Sequence, residues 1–152
     1  CAGGQRASHC YRWWAGDALK HEMIQPIGWP APKGYSNGIV ATGRILVIGG
    51  QVGWTPQGLF ERTDFLGQFD QALANVRAVL DAAGGVPEHV VRMTIYVTDL
   101  DAYRGNLKGL GPIWRTHMGR HYPAMALVGV TGLVEREALV EIETTAVLPE
   151  EK

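Results

Sequence analysis

Between Asp64 and Thr98 the spacing of apolar residues changes from a helical period to a strand period, and that change constrains the fold more than anything else in the chain. Phe65, Phe69, Ala72, Val76, Leu80 and Ala83 recur every three or four residues. This spacing predicts a one-striped helix capped by Thr63 or Asp64 and running to Ala83. Gly84-Gly85 can take the left-handed backbone that closes a helix, and Pro87 blocks its continuation. From His89 to Thr98 the pattern alternates, with Val91, Met93, Ile95 and Val97 on one face and Arg92, Thr94 and Tyr96 on the other. A helix with a single apolar stripe must lie on something apolar, and one face of a sheet containing this strand is the natural partner.

Similar signals flank this unit. Ile24 to Lys33, with three prolines, reads as an extended lead-in. Tyr35–Ala41 and Arg44–Gln51 predict a hairpin around Thr42-Gly43, and the second run is apolar on both faces, as a buried central strand would be. Gly49-Gly50 mark either a bulge or a place where a ligand or another backbone comes close. A second helix, capped by Asp101, directs Tyr103, Leu107, Leu110, Trp114 and Met118 inward, kinks or restarts at Gly111-Pro112 and stops at Gly119. Pro123–Val130 and Leu139–Val147 are the last strands.

The resulting order predicts an α/β (α+β) fold, one mixed sheet with two helices on one face. The second face, carrying Glu141, Glu143 and Thr145, is semi-polar, while the strands are nearly all apolar, so another subunit is expected to cover it and close a homo-oligomer.

With 152 residues, 46% of them hydrophobic, the chain can bury a core without disulfides or a structural metal. One domain is expected over 23–149, preceded by an extension at 1–22 without clear period and followed by a charged end at 150–152. Trp13 and Trp14 should find an apolar surface to lie on. No apolar run approaches the roughly 18 to 20 residues of a membrane span, and no secretory signal is evident, so a cytoplasmic location is expected. A net charge of −1 with interspersed signs gives little attraction for nucleic acid or an anionic membrane.

Cys1, His9, Cys10 and His21 lack any zinc spacing, and His117 and His121 have Gly119 between them and no third ligand, so no metal is expected. Phosphate-loop, dinucleotide, zincin and serine-hydrolase motifs are missing, and Cys10 has no activating partner in sequence. The strongest remaining acid is Glu141. Partly desolvated beneath a second subunit, its carboxyl would rise above about 4.3 toward the range of a general base, but for a strand glutamate taken by itself a cross-strand pair or a solvated interface is the commoner state.

Five stretches carry a resemblance: Gly34-Tyr35-Ser36, the strand ending Gly49-Gly50-Gln51, Gln71–Val76, Val90–Leu100 and Val140-Glu141-Ile142-Glu143. Together and in this order, from about Met23 to Pro149, they resemble the Rid (YjgF-type) family of reactive-intermediate deaminases. The resemblance implies a chorismate-mutase-like domain, usually a homotrimer, with clefts between subunits. Active members hydrolyse small imines or enamines derived from amino acids, without metal or organic cofactor.

In those members a Pro-Ala-Arg motif supplies an arginine that holds the substrate carboxylate. Here the motif reads Pro123-Ala124-Met125, and Leu107 falls near the position of a frequent asparagine. Tyr35 matches the cleft tyrosine, Gly50 the backbone that meets substrate, and Glu141 the carboxylate that positions water. With Met125, Trp114 or Leu127 beside it, the cleft is expected to favour an apolar or uncharged ligand over a small carboxylate, and Arg120 is a candidate substitute cation. Two functional classes follow: an enzyme acting on an imine or enamine other than the usual imino acid, or a non-catalytic trimer binding a small ligand or a partner. An endoribonuclease, the label of some relatives, is a third.

Overall fold

The structure is a computed structural model that describes residues 10–11 and 21–150. Cys1, His9, Trp13 and Trp14 lie outside the described residues. In chain order the elements are β1 (Cys10–Tyr11), β2 (Glu22–Ile24), β3 (Gly38–Val40), β4 (Arg44–Val52), α1 (Phe65–Ala82), β5 (Val90–Val97), α2 (Leu100–Gly105), α3 (Leu107–Met118), β6 (Ala124–Gly129) and β7 (Val140–Leu148). No helix among them is long and apolar enough to cross a membrane.

The fold is the mixed α+β architecture expected. Four strands form a sheet in the order β4-β7-β5-β6, with β5 and β6 parallel and the other neighbours antiparallel. Helix α1 packs on β4 and β7, and α3 packs beside α1. Between helices and sheet lies one core, in which Ala72, Leu73, Val76 and Leu80 of α1 meet Met93, Val97, Val140 and Ile142, all fully buried. Asp64 caps α1 by accepting the Gly67 N–H at 2.8 Å, and Gly84, at φ 75°, ends it.

Several expectations are corrected. β3 and β4 do not form a hairpin: β3 pairs with β2 in a small three-stranded sheet, while β4 pairs with β7. Gly43 sits so close to the Leu148 carbonyl that any side chain would strike it, and the chain there leaves β3 to run along β7. β4 is an edge strand rather than a central one, and Ile45 and Val47, 72% and 74% exposed, face away from the helices. Its apolar residues on both faces had suggested a central place, but one chain alone leaves its outer face open. In β5 the register shifts between Val90 and Arg92, so Val90 rather than Val91 enters the core.

The second helix is in fact two. Asp99, not Asp101, is its cap, accepting the backbone N–H groups of Asp101 and Ala102. The break falls at Asn106, whose amide donates to the Ala102 carbonyl at 2.7 Å, while Pro112 is inside α3 on its exposed side, where water can satisfy the carbonyl it frees. Within the stretch read as an extension, Cys10 and Tyr11 pair with Ile24 and Met23.

Candidate functional site

The lead-in loop is fastened to the start of β6. Ser36 is buried; its hydroxyl donates to the Tyr122 carbonyl at 2.6 Å and its N–H to the Pro123 carbonyl at 3.0 Å. These bonds bring Tyr35 beside Met125, which shares the helix side of the sheet with its register partner Met93. The helices leave edge strand β6 partly uncovered, and the gap is a cavity of about 400 Å³. Tyr35, Leu107, Trp114 and Met125 all line it, with Tyr103 and Tyr122. Trp114 is held by two contacts: its indole N–H donates to the His121 carbonyl at 3.0 Å, and its ring stacks on Tyr122 at 5.7 Å and 5°. Leu127 lines the cavity too, but Arg120 does not.

Gly50 and Glu141 form a second cluster on the opposite face. Between Ile48 and Gln51 the β4–β7 register slips, which makes Gly49-Gly50 a bulge. The Glu141 carboxylate lies directly over Gly50, in the space a Cβ would fill. Glu141 is half-buried and makes no hydrogen bond or ion pair with any described residue. Its register partner on β5 is Tyr96. Val140 and Ile142 point into the core, so Glu141 faces outward. Within one chain Glu141 and Met125 are therefore on opposite faces and two strand spacings apart, about 10 Å laterally.

A buried residue that sequence reading passed over positions the start of β7. Gln68, 1% exposed, donates to the carbonyls of Arg62 at 3.1 Å and Glu137 at 2.8 Å and accepts the Leu139 N–H at 2.7 Å. It ties both loops beside Glu141 to α1. Nothing in its local sequence marks it, because a polar residue on a helix stripe looks like a break in the stripe.

The two histidines at the end of α3 separate. His117 pairs with Asp70 of α1 at 2.6 Å, while His121 is buried with Nε2 2.6 Å from the Val90 carbonyl. Burial lowers the pKa of His121, and burial also lowers that of His89, whose ring is 6.4 Å from His21. Among the described residues no group of His, Cys, Asp or Glu side chains is arranged to hold a metal ion.

The family model described as Endoribonuclease L-PSP matches residues 28–148. The chain belongs to this family, the Rid (YjgF-type) proteins. Among Rid relatives, a RutC family protein of Aquifex aeolicus is 36% identical over 121 residues, 78% of this chain and 92% of that protein. The 2-iminobutanoate/2-iminopropanoate deaminase of Escherichia coli is 29% identical over 108 residues, 71% of this chain and 83% of that enzyme. The crystal structure of a Rid-family protein of unknown function from Yersinia pestis matches with a TM-score of 0.75 at 35% identity, covering 84% of this chain and 98% of that one.

Proposed function

We propose that this Rid protein hydrolyses or tautomerises a small imine or enamine other than the usual imino acid, in clefts that copies of a homotrimer build together. The observation that carries this reading is the division of the site: a carboxylate over Gly50, unpaired among the described residues, on one sheet face, and an apolar cavity around Met125 on the other. Neither half is a complete site, and edge strand β6 leaves the cavity within reach of a neighbouring copy. The exposed Ile45, Val47 and Val128 on the outer face supply apolar surface for association.

In the assembled cleft Glu141 orients water and takes its proton as the oxygen bonds to the imine carbon; the nitrogen is protonated in turn and leaves as ammonia, giving the carbonyl product. The Gly50 backbone holds the polar end of the ligand. Met125 and Leu107 offer neither charge nor strong donors, so these positions meet an apolar or uncharged part of it. The deaminase among the relatives supports the reaction class.

The same two residues favour a second reading, a trimer that binds a small ligand or a partner without converting it. A net charge of −1 gives the endoribonuclease reading no electrostatic support. Ammonia release from a panel of imines separates the readings. Turnover that falls on the order of 10²-fold in Glu141→Gln supports the enzyme; turnover unchanged in that variant removes Glu141 from the mechanism, and a compound that raises the melting temperature without being consumed supports binding alone.

A further inference from the structure

A second cavity, of about 310 Å³, adjoins the apolar one and shares Tyr35, Met125 and Ala126 with it. Its lining is different in kind: Ser36, Asn37, Thr94 and Arg92 contribute. Arg92 is on the outer face of β5, with Ala124 of β6 and Thr145 of β7 as its register partners. It is exposed and makes no hydrogen bond or ion pair with any described residue. Glu143, opposite Thr94 two register positions away, lies beyond ion-pair distance. A guanidinium without a partner among the described residues, lining a cavity, is a fork for a planar oxyanion. Tyr35 and Met125 border both spaces, so a ligand lying across them would place an apolar group in one and a charged group in the other.

From this juxtaposition we infer that Arg92 is an anion-binding residue and that the ligand is an amphipathic monoanion, with a carboxylate on Arg92 and an aromatic or bulky aliphatic group in the cavity of Trp114 and Tyr122. The inference rests on the reading of the Tyr35–Met125 crevice as the ligand site, and it names the ligand's charge and shape. Met125 then meets the middle of the molecule, and the cation stands on β5 instead of β6.

Binding of 3-phenylpropanoate and of its neutral amide, measured by calorimetry on the purified protein at low salt, tests the assignment without needing turnover. The expected result is that the acid binds ten-fold or more tightly than the amide, that Arg92→Met abolishes this preference while leaving amide binding unchanged, and that Arg92→Lys, which keeps the charge but not the fork, restores part of it. Equal affinities for acid and amide, a preference that survives in Arg92→Met, or no binding of either probe would overturn the inference. Arg92 is exposed, so loss of fold is not expected, and a circular dichroism melt of each variant checks this. An acid preference residing in Arg92 together with no ammonia release from any imine would leave the anion subsite standing and remove the catalytic reading; turnover that depends on Glu141 but not on Arg92 would do the reverse.

Discussion

The residue to which the proposed reaction assigns the central part sits where a neighbouring side chain is missing. The Glu141 carboxylate occupies the space above Gly50 that a methyl group would take, and the Gly50 backbone is not in the left-handed region, so the nearest atoms that refuse an alanine are all of the Glu141 side chain. Gly50→Ala should therefore move Glu141 without unfolding the sheet. Turnover is expected to fall about as far as in Glu141→Gln, on the order of 10²-fold, while the melting temperature changes by no more than about 2–4 °C. An alanine variant with full turnover would show that the position of Glu141 over Gly50 is irrelevant.

At this scale the sequence was informative about side and less so about company. Alternation put Arg92 on the outer face and Glu141 on the outer face of its own strand, because strand period alone sets sidedness. It gave no hint that a loop ninety residues away in sequence brings Tyr35 to Met125, or that Arg92 borders a cavity, since those contacts depend on where the lead-in is fastened. Ser36 does the fastening, and its part in it is visible only from its bonds to residues 122 and 123.

At the scale of elements, stability is concentrated where loops are tied to helices. Gln68→Leu would leave the Glu137 and Arg62 carbonyls and the Leu139 N–H without their partner, and burial makes each loss costly. A destabilisation of about 2–4 kcal/mol in urea unfolding is expected; a change below about 0.5 kcal/mol would mean that water replaces the clamp.

The contact between the turn before β5 and the start of β6 adds a pH dependence. Burial disfavours the charged forms of His89 and His121; at His89 the charges of His21 and His121 add to this and Glu88 opposes it, while at His121 the bond to the Val90 carbonyl and the charge of Glu88 oppose it and His21 adds to it. Their folded pKa values lie below the ordinary value of about 6.5, so the unfolded chain takes up protons first as pH falls. Stability should be complete above about pH 6.5 and decline below it, by at most about 1.4 kcal/mol per pH unit for each histidine. Urea midpoints from pH 7.5 to 5 check this, with a shallower decline expected for His121→Gln; midpoints that rise on acidification would contradict it.

Helix periodicity located α1 to within a residue, because the stripe, the Asp64 cap and the glycine stop agree. The second helix was misjudged at both its cap and its break. Asp99 and Asp101 are both acceptable caps by type, and the exposed side of a helix tolerates Pro112 better than a general rule suggests.

For the whole molecule the main difference between sequence and structure concerns β4. Its apolar residues predicted a strand covered on both sides, and a single chain leaves Ile45 and Val47 in the open at the edge of the sheet. Sequence patterning records burial without saying whose chain provides it, so a strand completed by a neighbour reads as a central strand. The same limit applied to the site. Residues grouped by resemblance into one cleft divide in the structure between two faces, Tyr35, Leu107, Trp114 and Met125 on one side and Gly50 and Glu141 on the other. The proposed reading unites them by bringing copies of the chain together.

Chemical cross-linking between the two halves tests that most directly. With Cys1 and Cys10 replaced by serine, a chain carrying both Tyr35→Cys and Glu141→Cys is treated with a short bismaleimide spanning about 8 Å, less than the two-strand separation within one protomer. Interchain linkage is expected, seen on a denaturing gel as covalent dimers and trimers of the 16.6 kDa chain, with neither single-cysteine protein giving them. Bands confined to the single-chain mass would contradict a cleft shared between copies.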